Sequence, residues 1–372
     1  MSLFIAAAMV LCWLLGILHP AMVGFIGAFL FCAIGLEFDA AFHGFGTEMP
    51  WFLYGALLLV GAADRSGLTQ AIGARTPRAF SQSPLVPTVI IVALAYALAL
   101  VVPSSLARAT MLILLALAWA GDSAVLRTSL VFAAGYGAGT FGHPDLAGGP
   151  FSIAGWDVAA AVALVCVVAW NSRRGMTIDA SAAPSRPPAA GGVISWKLAV
   201  PVLVAVLLWL TTPFHHVSPA LVGLACGLVS WLPGIAAPGE HSPKADHLAI
   251  IFAGTALTIP AVLIETRSVD LLTRGWLAMN QALGMLPAPL GGYWSSVVYR
   301  LFSPDGARPA LPSLSNALGS TAIWSYAGST LLSLHQSPAL ILAMVAGGCR
   351  PKHVVTAGLF VLMLGSVVVM LF

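Results

Sequence analysis

"VVPSSLARATMLILLALA", residues 101–118, breaks a long apolar run with a proline, two serines and an arginine, then becomes apolar again. The chain around it has few polar residues to place: of 372 residues, 59% are hydrophobic and 8% charged, and the mean hydropathy is +0.95. A soluble domain carries about 25% charged residues. Two readings of the stretch stand. It is a turn between two membrane spans, or it is the tip of a broken helix that builds a ligand site at the depth of the bilayer. Both predict an all-α polytopic membrane protein. Apolar segments of roughly 17–25 residues recur to the C-terminus, whereas a closed barrel would show short alternating segments.

Apolar windows predict helices near 2–18, 20–36, 50–63, 86–102, 105–120, 124–141, 151–170, 195–212, 218–235, 247–264, 276–303, 318–346 and 353–372. If 86–120 and one segment of the second half are re-entrant hairpins, these windows amount to about 10–11 transmembrane helices. The first window lacks the basic start and small-residue cleavage site of a signal peptide and reads as a mature helix. Cys12, Cys32, Cys166, Cys226 and Cys349 show neither metal-ligand nor disulfide spacing, and free cysteine packs as a small hydrophobe. Neither a Walker A sequence nor an HExxH pair occurs, which removes a P-loop ATPase and weighs against an intramembrane enzyme. No cofactor is expected, and no nucleic-acid partner.

Between 171 and 194 the text turns to Pro, Ala, Ser and Arg, the composition of a linker. It separates an N-terminal repeat, 1–170, from a C-terminal repeat, 195–372. Within these, "WFLYGALLLVGAADRSGLTQAIGAR" (51–75) and "IIFAGTALTIPAVLIETRSVDLLTRGW" (250–276) each run an apolar helix into an acid, an arginine, a serine and an amphipathic stretch. "AAGYGAGTFGHP" (133–144) and "SYAGSTLLSLHQSP" (325–338) share an order of Tyr, Gly, Thr, His and Pro. Basic residues stay in the cytoplasm, which places the linker with Arg173, Arg174, Arg186 and Lys197 inside, along with Arg65, Arg75, Arg78, Arg350 and Lys352. The acidic loop 36–49 and both termini then fall outside and the halves are inverted, provided that 86–120 enters and leaves on one side. Arg267 and Arg274 fall outside, as an inverted copy requires.

A hairpin tip inside the bilayer must offer its free backbone groups to protein, water or ligand. Pro103 ends the first arm, and Ser104 and Ser105 occupy the N-cap zone of the second, where free N–H groups and the helix dipole favour an anion. Hydroxyls and unwound carbonyls hold Na⁺ equally well. "GYGAGTFGHPDLAGGP" (135–150) reads as a broken span, with Thr140 beside carbonyls that suit a cation, or as glycine-mediated helix packing before a loop. Arg108 and Arg300 are either bidentate ligands of a carboxylate or helix-paired, snorkelling side chains. Asp64 and Glu265 sit at span ends and read as interfacial. His143 and His335 are loop histidines, and His215-His216 has no third metal ligand at useful spacing.

The order "ADRSGLTQAIGAR", "VVPSSLARATMLILLALA", "AAGYGAGTFGHPDLAGG" and "GWDVAAAVALV" resembles the first half of the divalent anion:sodium symporter family of the ion transporter superfamily. The final "RPKHVVTAGLFVLMLGSVVVMLF" is similar to that family's last span. The resemblance implies a secondary active carrier of a di- or tricarboxylate or sulfate-like anion, Na⁺-coupled, homodimeric and resident in the inner (plasma) membrane. The alternatives are a proton-coupled or uncoupled exporter or exchanger, or a membrane subunit that transports nothing. The implied substrate ligands are Ser104, Ser105 and Arg108, with Ser295, Ser296 and Arg300 in the second half. The implied cation ligands are Ser105, Gly137, Gly139 and Thr140, with Gly328, Ser329 and Thr330. Ser315 and Asn316 in "LPSLSNALGST" compete as the second tip. The sequence departs from the family where Ser-Asn-Thr is expected at the first tip, and it is one N-terminal span short.

Overall fold

Apolar stretches that begin at a proline or a hydroxyl cap build the helices of the computed structural model, which describes residues 1–15, 17–76, 85–121, 123–140, 194–232, 235, 247–268 and 337–347, with scattered positions between 271 and 367. The principal helices are α1 (Ser2–Leu15), α2 (Pro20–Ala33), α3 (Glu48–Arg65), α4 (Leu68–Ala74), α5 (Leu85–Ala99), α6 (Ser105–Ala120), α7 (Ala124–Thr140), α8 (Trp196–Leu210), α9 (Pro219–Val229), α10 (His247–Glu265) and α11 (Pro338–Gly347). The described residues are mostly helical and contain no strand. By length and composition α10, with 19 residues and a mean hydropathy of 2.1, is the one described helix able to cross a membrane; α1, α2, α5, α6, α8 and α9 include shorter apolar helices.

The helix starts follow local chemistry. Pro20 and Pro219 occupy the first turns of α2 and α9, where a missing N–H costs nothing, and the His19 and Ser218 side chains accept from Ala21 N–H (3.3 Å) and Ala220 N–H (3.2 Å). "HPAMVGF" (19–25) and "SPALVGL" (218–224) are the same start written twice. Before each start, a tryptophan closes the turn: Trp13 Nε1 donates to Pro20 O and Trp209 Nε1 to Pro219 O, each at 3.0 Å. Helix ends match as well. After α3 the chain turns through Gly67 at φ +79°, after α10 through Arg267 at φ +52°, with Ser66 N–H donating to Ala62 O (2.8 Å) and Thr266 N–H to Val262 O (3.0 Å).

Packing between the halves is reciprocal. Trp13 meets Phe252 with ring centroids 5.1 Å apart, and Trp209 meets Phe52 at 5.8 Å. Gly24 of α2 lies against Thr255 of α10, while Gly223 and Gly227 of α9 lie against Phe52 and Gly55 of α3. Ser2, at the start of α1, donates to Thr266 Oγ1 past the end of α10 (3.0 Å); Ser195, at the start of α8, donates its N–H to Ser66 O past the end of α3 (2.8 Å). So α1 is antiparallel to α10, and α8 is antiparallel to α3. Phe45, just before α3, touches Gly254, and Tyr54 reaches His247, with ring centroids 6.2 Å apart, so α3 and α10 pass each other in opposite directions at their N-terminal ends.

The loop 36–49 docks onto α2 and α10. Residues Phe38–Ala41 form one helical turn and His43–Gly46 a 3-10 turn. Gly44 N–H donates to Thr258 Oγ1 (3.0 Å), and Gly44 approaches the Gly254 carbonyl too closely to admit a Cβ. Aromatic packing accounts for the docking: Phe42 meets Phe29, Phe38 and Phe45, and Phe45 also stacks on Phe25, while Glu37 and Asp39 remain exposed. The two faces α1/α2 and α8/α9 expose large apolar side chains, among them Phe4, Leu15, Phe29, Leu207, Phe214 and Leu221.

Candidate functional site

The segment 100–104 separates α5 from α6, and the two helices pack together on either side of it. Leu100 and Val101 turn back on carbonyls of the last turn of α5, and Pro103, with no N–H to donate, precedes the new helix. Ser104 is its N-cap, accepting from Ala107 N–H at 3.3 Å, and Ser105 is its first residue; both are half-buried. Gly73 of α4 rests against the Ala118 carbonyl in the last turn of α6, so the end of α4 and the end of α6 lie together. α6 is buried on nearly every side, packed by α4, α5, α7 and α11.

Arg108, one turn into α6, is 2% exposed. One guanidinium nitrogen, Nη1, donates to Val102 O (2.8 Å) and to Pro103 O (3.4 Å), and Nη2 donates to Ala138 O (2.9 Å). Ala138 belongs to α7, two residues before its last described residue, Thr140. Arg108 therefore ties the break before α6 to Ala138 of α7. The side chain thus links the break that carries Ser104 and Ser105 to Ala138, the residue between the candidates Gly137 and Gly139.

Of the two readings of the glycine-rich segment, residues 135–140 follow the packed-helix one and continue α7, as the window 124–141 expected, and 141–150 lie outside the described residues. Glycine costs about 1 kcal/mol relative to alanine inside a helix. Close packing offsets it at Gly135, which faces Ala343 and the Ala339 carbonyl of α11 with no room for a Cβ. Ser295, Ser296, Arg300, Ser315, Asn316, Gly328, Ser329, Thr330, His143 and His335 all lie outside the described residues, as do Cys166, Cys349 and the linker 171–193.

Remaining polar candidates have local duties. Asp64 Oδ1 accepts from Thr69 Oγ1 (3.0 Å) and Arg65 Nε donates to Gly61 O (3.2 Å), which fastens the turn between α3 and α4; Glu265 is exposed at the end of α10. His215 Nε2 bonds to Leu208 O (2.8 Å) in the last turn of α8, and its Nδ1 accepts from Val217 N–H (3.0 Å). An apolar groove of about 240 Å³ between α1 and α2, lined by Phe4, Met9, Cys12 and Leu30 among others, offers an anion no hydrogen-bond donor.

Neither a protein-family model nor a curated protein matches the chain. The repeated Pro-Ala-x-Val-Gly starts and their tryptophans were legible in the sequence and would have marked the duplication from its first helices. The carbonyl partners of Arg108 carry no such signal, since any apolar residue presents the same carbonyl.

Proposed function

We propose that this chain is a polytopic membrane protein that carries a small anion, a di- or tricarboxylate or a sulfate-like ion, by alternating access between two halves of opposite orientation. The observation that carries the reading is the break at 100–104, which precedes the N-terminus of α6 and is tied to Ala138 of α7 by a buried arginine. A helix N-terminus at an interrupted apolar segment is the means by which carriers hold an anionic group. Three further features support it. The reciprocal contacts, with α3 antiparallel to α10, suit inverted halves. The contact between the end of α4 and the end of α6 suits a re-entrant hairpin. Exposed apolar side chains on both two-helix faces suit lipid or a second copy of the chain, since soluble monomers rarely expose large contiguous apolar patches.

On this reading the chain has about 10–11 spans, sits in the inner (plasma) membrane and works as a homodimer. Ser104 and Ser105 bind the anion through their hydroxyls and through the free N–H groups of the first turn of α6. The resemblance to the divalent anion:sodium symporters adds Na⁺ as the coupling ion. An exchanger or proton-coupled carrier is the second reading, favoured by the position of Arg108. Uptake by purified protein in liposomes, over a panel of carboxylates and sulfate with and without a Na⁺ gradient, tests the assignment. Saturable uptake of at least one divalent anion, lost in the Ser104→Ala, Ser105→Ala double variant, is the expected result. Folded protein that moves none of the panel refutes it.

A further inference from the structure

We infer that the start of α7 is a second anion site, built from Arg127 and the N-terminal turn of that helix and suited to a phosphate-type oxyanion. It stands apart from the carrier reading above, at the opposite end of the α6/α7 pair from Ser104 and Ser105. After α6 the chain turns at Gly121, where φ is +55°, and Ser123 caps α7 by accepting from Leu126 N–H at 3.3 Å. Arg127 follows one turn later, its own N–H donated to Ser123 O (2.9 Å). The residue is 8% exposed, and among the described residues its guanidinium has neither a hydrogen-bond acceptor nor an ion-pair partner. Arg108, buried at the other end of the pair, meets three backbone carbonyls.

A guanidinium cannot shed its charge to escape burial, so a buried one without a partner is an uncompensated cation. The helix adds to the conflict. Arg127 stands at the start of α7, where the macrodipole is positive and a cation is disfavoured. Long side chains on a helix lean back toward its N-terminus, which brings this guanidinium down over the first turn, beside N–H groups that have no intrahelical acceptor. Donors therefore gather at this helix start. An oxyanion relieves both conflicts at once: it accepts from the free N–H groups, and it neutralises the guanidinium through the paired hydrogen bonds that phosphate oxygens make with arginine. The charge nearby favours it too, because Gly73 packs on the Ala118 carbonyl and so brings the end of α4, with exposed Arg75 as its C-cap, to this end of α6. Asp122 precedes the cap in the sequence and lies outside the described residues; its carboxylate is the rival counter-charge. At 1.5 Å of rise per residue, Arg127 stands about 16 Å along α7 from Ala138, too far for one small anion to serve both this site and the break at 100–104.

The test is thermal unfolding of the purified full-length protein, freed of lipid by detergent exchange, at equal ionic strength in chloride alone, with inorganic phosphate, with short-chain phosphatidic acid, or with diacylglycerol of the same chains. Wild type should gain roughly 3 °C or more from at least one of the two phosphates and nothing from diacylglycerol. A gain from inorganic phosphate assigns the site to a free anion, and a gain from phosphatidic acid alone assigns it to a lipid headgroup. Arg127→Met removes the charge and fills much of the same space. In chloride it should melt no lower than wild type, because the lost cation had no partner, and its response to either phosphate should vanish. Arg127→Lys keeps the charge without the fork and should need a several-fold higher concentration for the same gain. Asp122→Asn removes the rival carboxylate and should lower that concentration several-fold. Wild type that gains nothing from either phosphate overturns the inference, as does Arg127→Met with an undiminished gain. So does Arg127→Met that melts well below wild type in chloride or cannot be recovered folded, since the guanidinium would then have its partner within the chain, with Asp122 named as that partner if Asp122→Asn is destabilised alike. None of these measurements uses transport, so a failure of anion uptake leaves this site standing, and a failure here leaves the carrier reading untouched.

Discussion

Ser104 and Ser105 are adjacent and chemically identical, yet they hold different positions at the start of α6. Ser104 spends its hydroxyl oxygen on Ala107 N–H, whereas Ser105 already lies within the helix. Ser104→Ala should therefore cost about 0.5–2 kcal/mol of stability through the lost cap, and Ser105→Ala should leave the unfolding temperature close to wild type. Calorimetry or a fluorescence melt of the two variants separates these outcomes. If both serines also hold the anion, each substitution should weaken its binding roughly 2- to 150-fold, the range spanned by one hydrogen bond to a neutral or a charged partner. An affinity unchanged in both variants would leave the stretch as a capped turn.

At the scale of elements, the reciprocal contacts predict matched responses from positions in different halves. Trp13→Phe and Trp209→Phe each remove one indole N–H from a proline carbonyl at 3.0 Å, and each should cost about 0.5–1.5 kcal/mol. A large difference between the two melts would mean that the equivalence is one of appearance only. The glycine crossings predict an asymmetry. An alanine at Gly24 meets the Thr255 side chain, which can rotate, but an alanine at Gly55 meets the backbone of Gly223 and Leu224, which cannot. Gly55→Ala should be the more damaging, by about 1–3 kcal/mol, with the separation of α3 from α9 as its cause. Equal melting temperatures for the two variants would contradict that packing.

The molecule as a whole poses a question of sidedness. Gly73 touches the end of α6, so Thr76, two residues beyond α4, and Gly121, just after α6, lie near the same end of α6. In an otherwise cysteine-free protein in sealed vesicles, Thr76→Cys and Gly121→Cys should react with an impermeant thiol reagent from the same face. Labelling from opposite faces would make α5 and α6 consecutive spans and remove the re-entrant hairpin. The same vesicles, loaded with candidate anions, provide the uptake measurement on which the carrier reading depends.

The amino-acid sequence by itself determined the helical class and the positions of most described helices, because apolar periodicity and proline or hydroxyl starts are local properties. The windows at 105–120, 124–141 and 247–264 fall within a residue of α6, α7 and α10. The interruption at Pro103-Ser104 was legible for the same reason: a missing N–H and a capping hydroxyl act on their own chain neighbours. What only the tertiary structure decided was partnership. Phe38, Phe42 and Phe45 read as part of an acidic loop until aromatic neighbours in α2 and a glycine in α10 receive them. Arg108 read equally well as ligand or as strut, since its nearest sequence neighbours are apolar on both sides. Its role follows from the Ala138 carbonyl, 30 positions away, and a backbone carbonyl has no letter in the sequence. A buried guanidinium must find acceptors, and which acceptors it finds is set by the packing of α6 against α7 rather than by the order of residues along either helix.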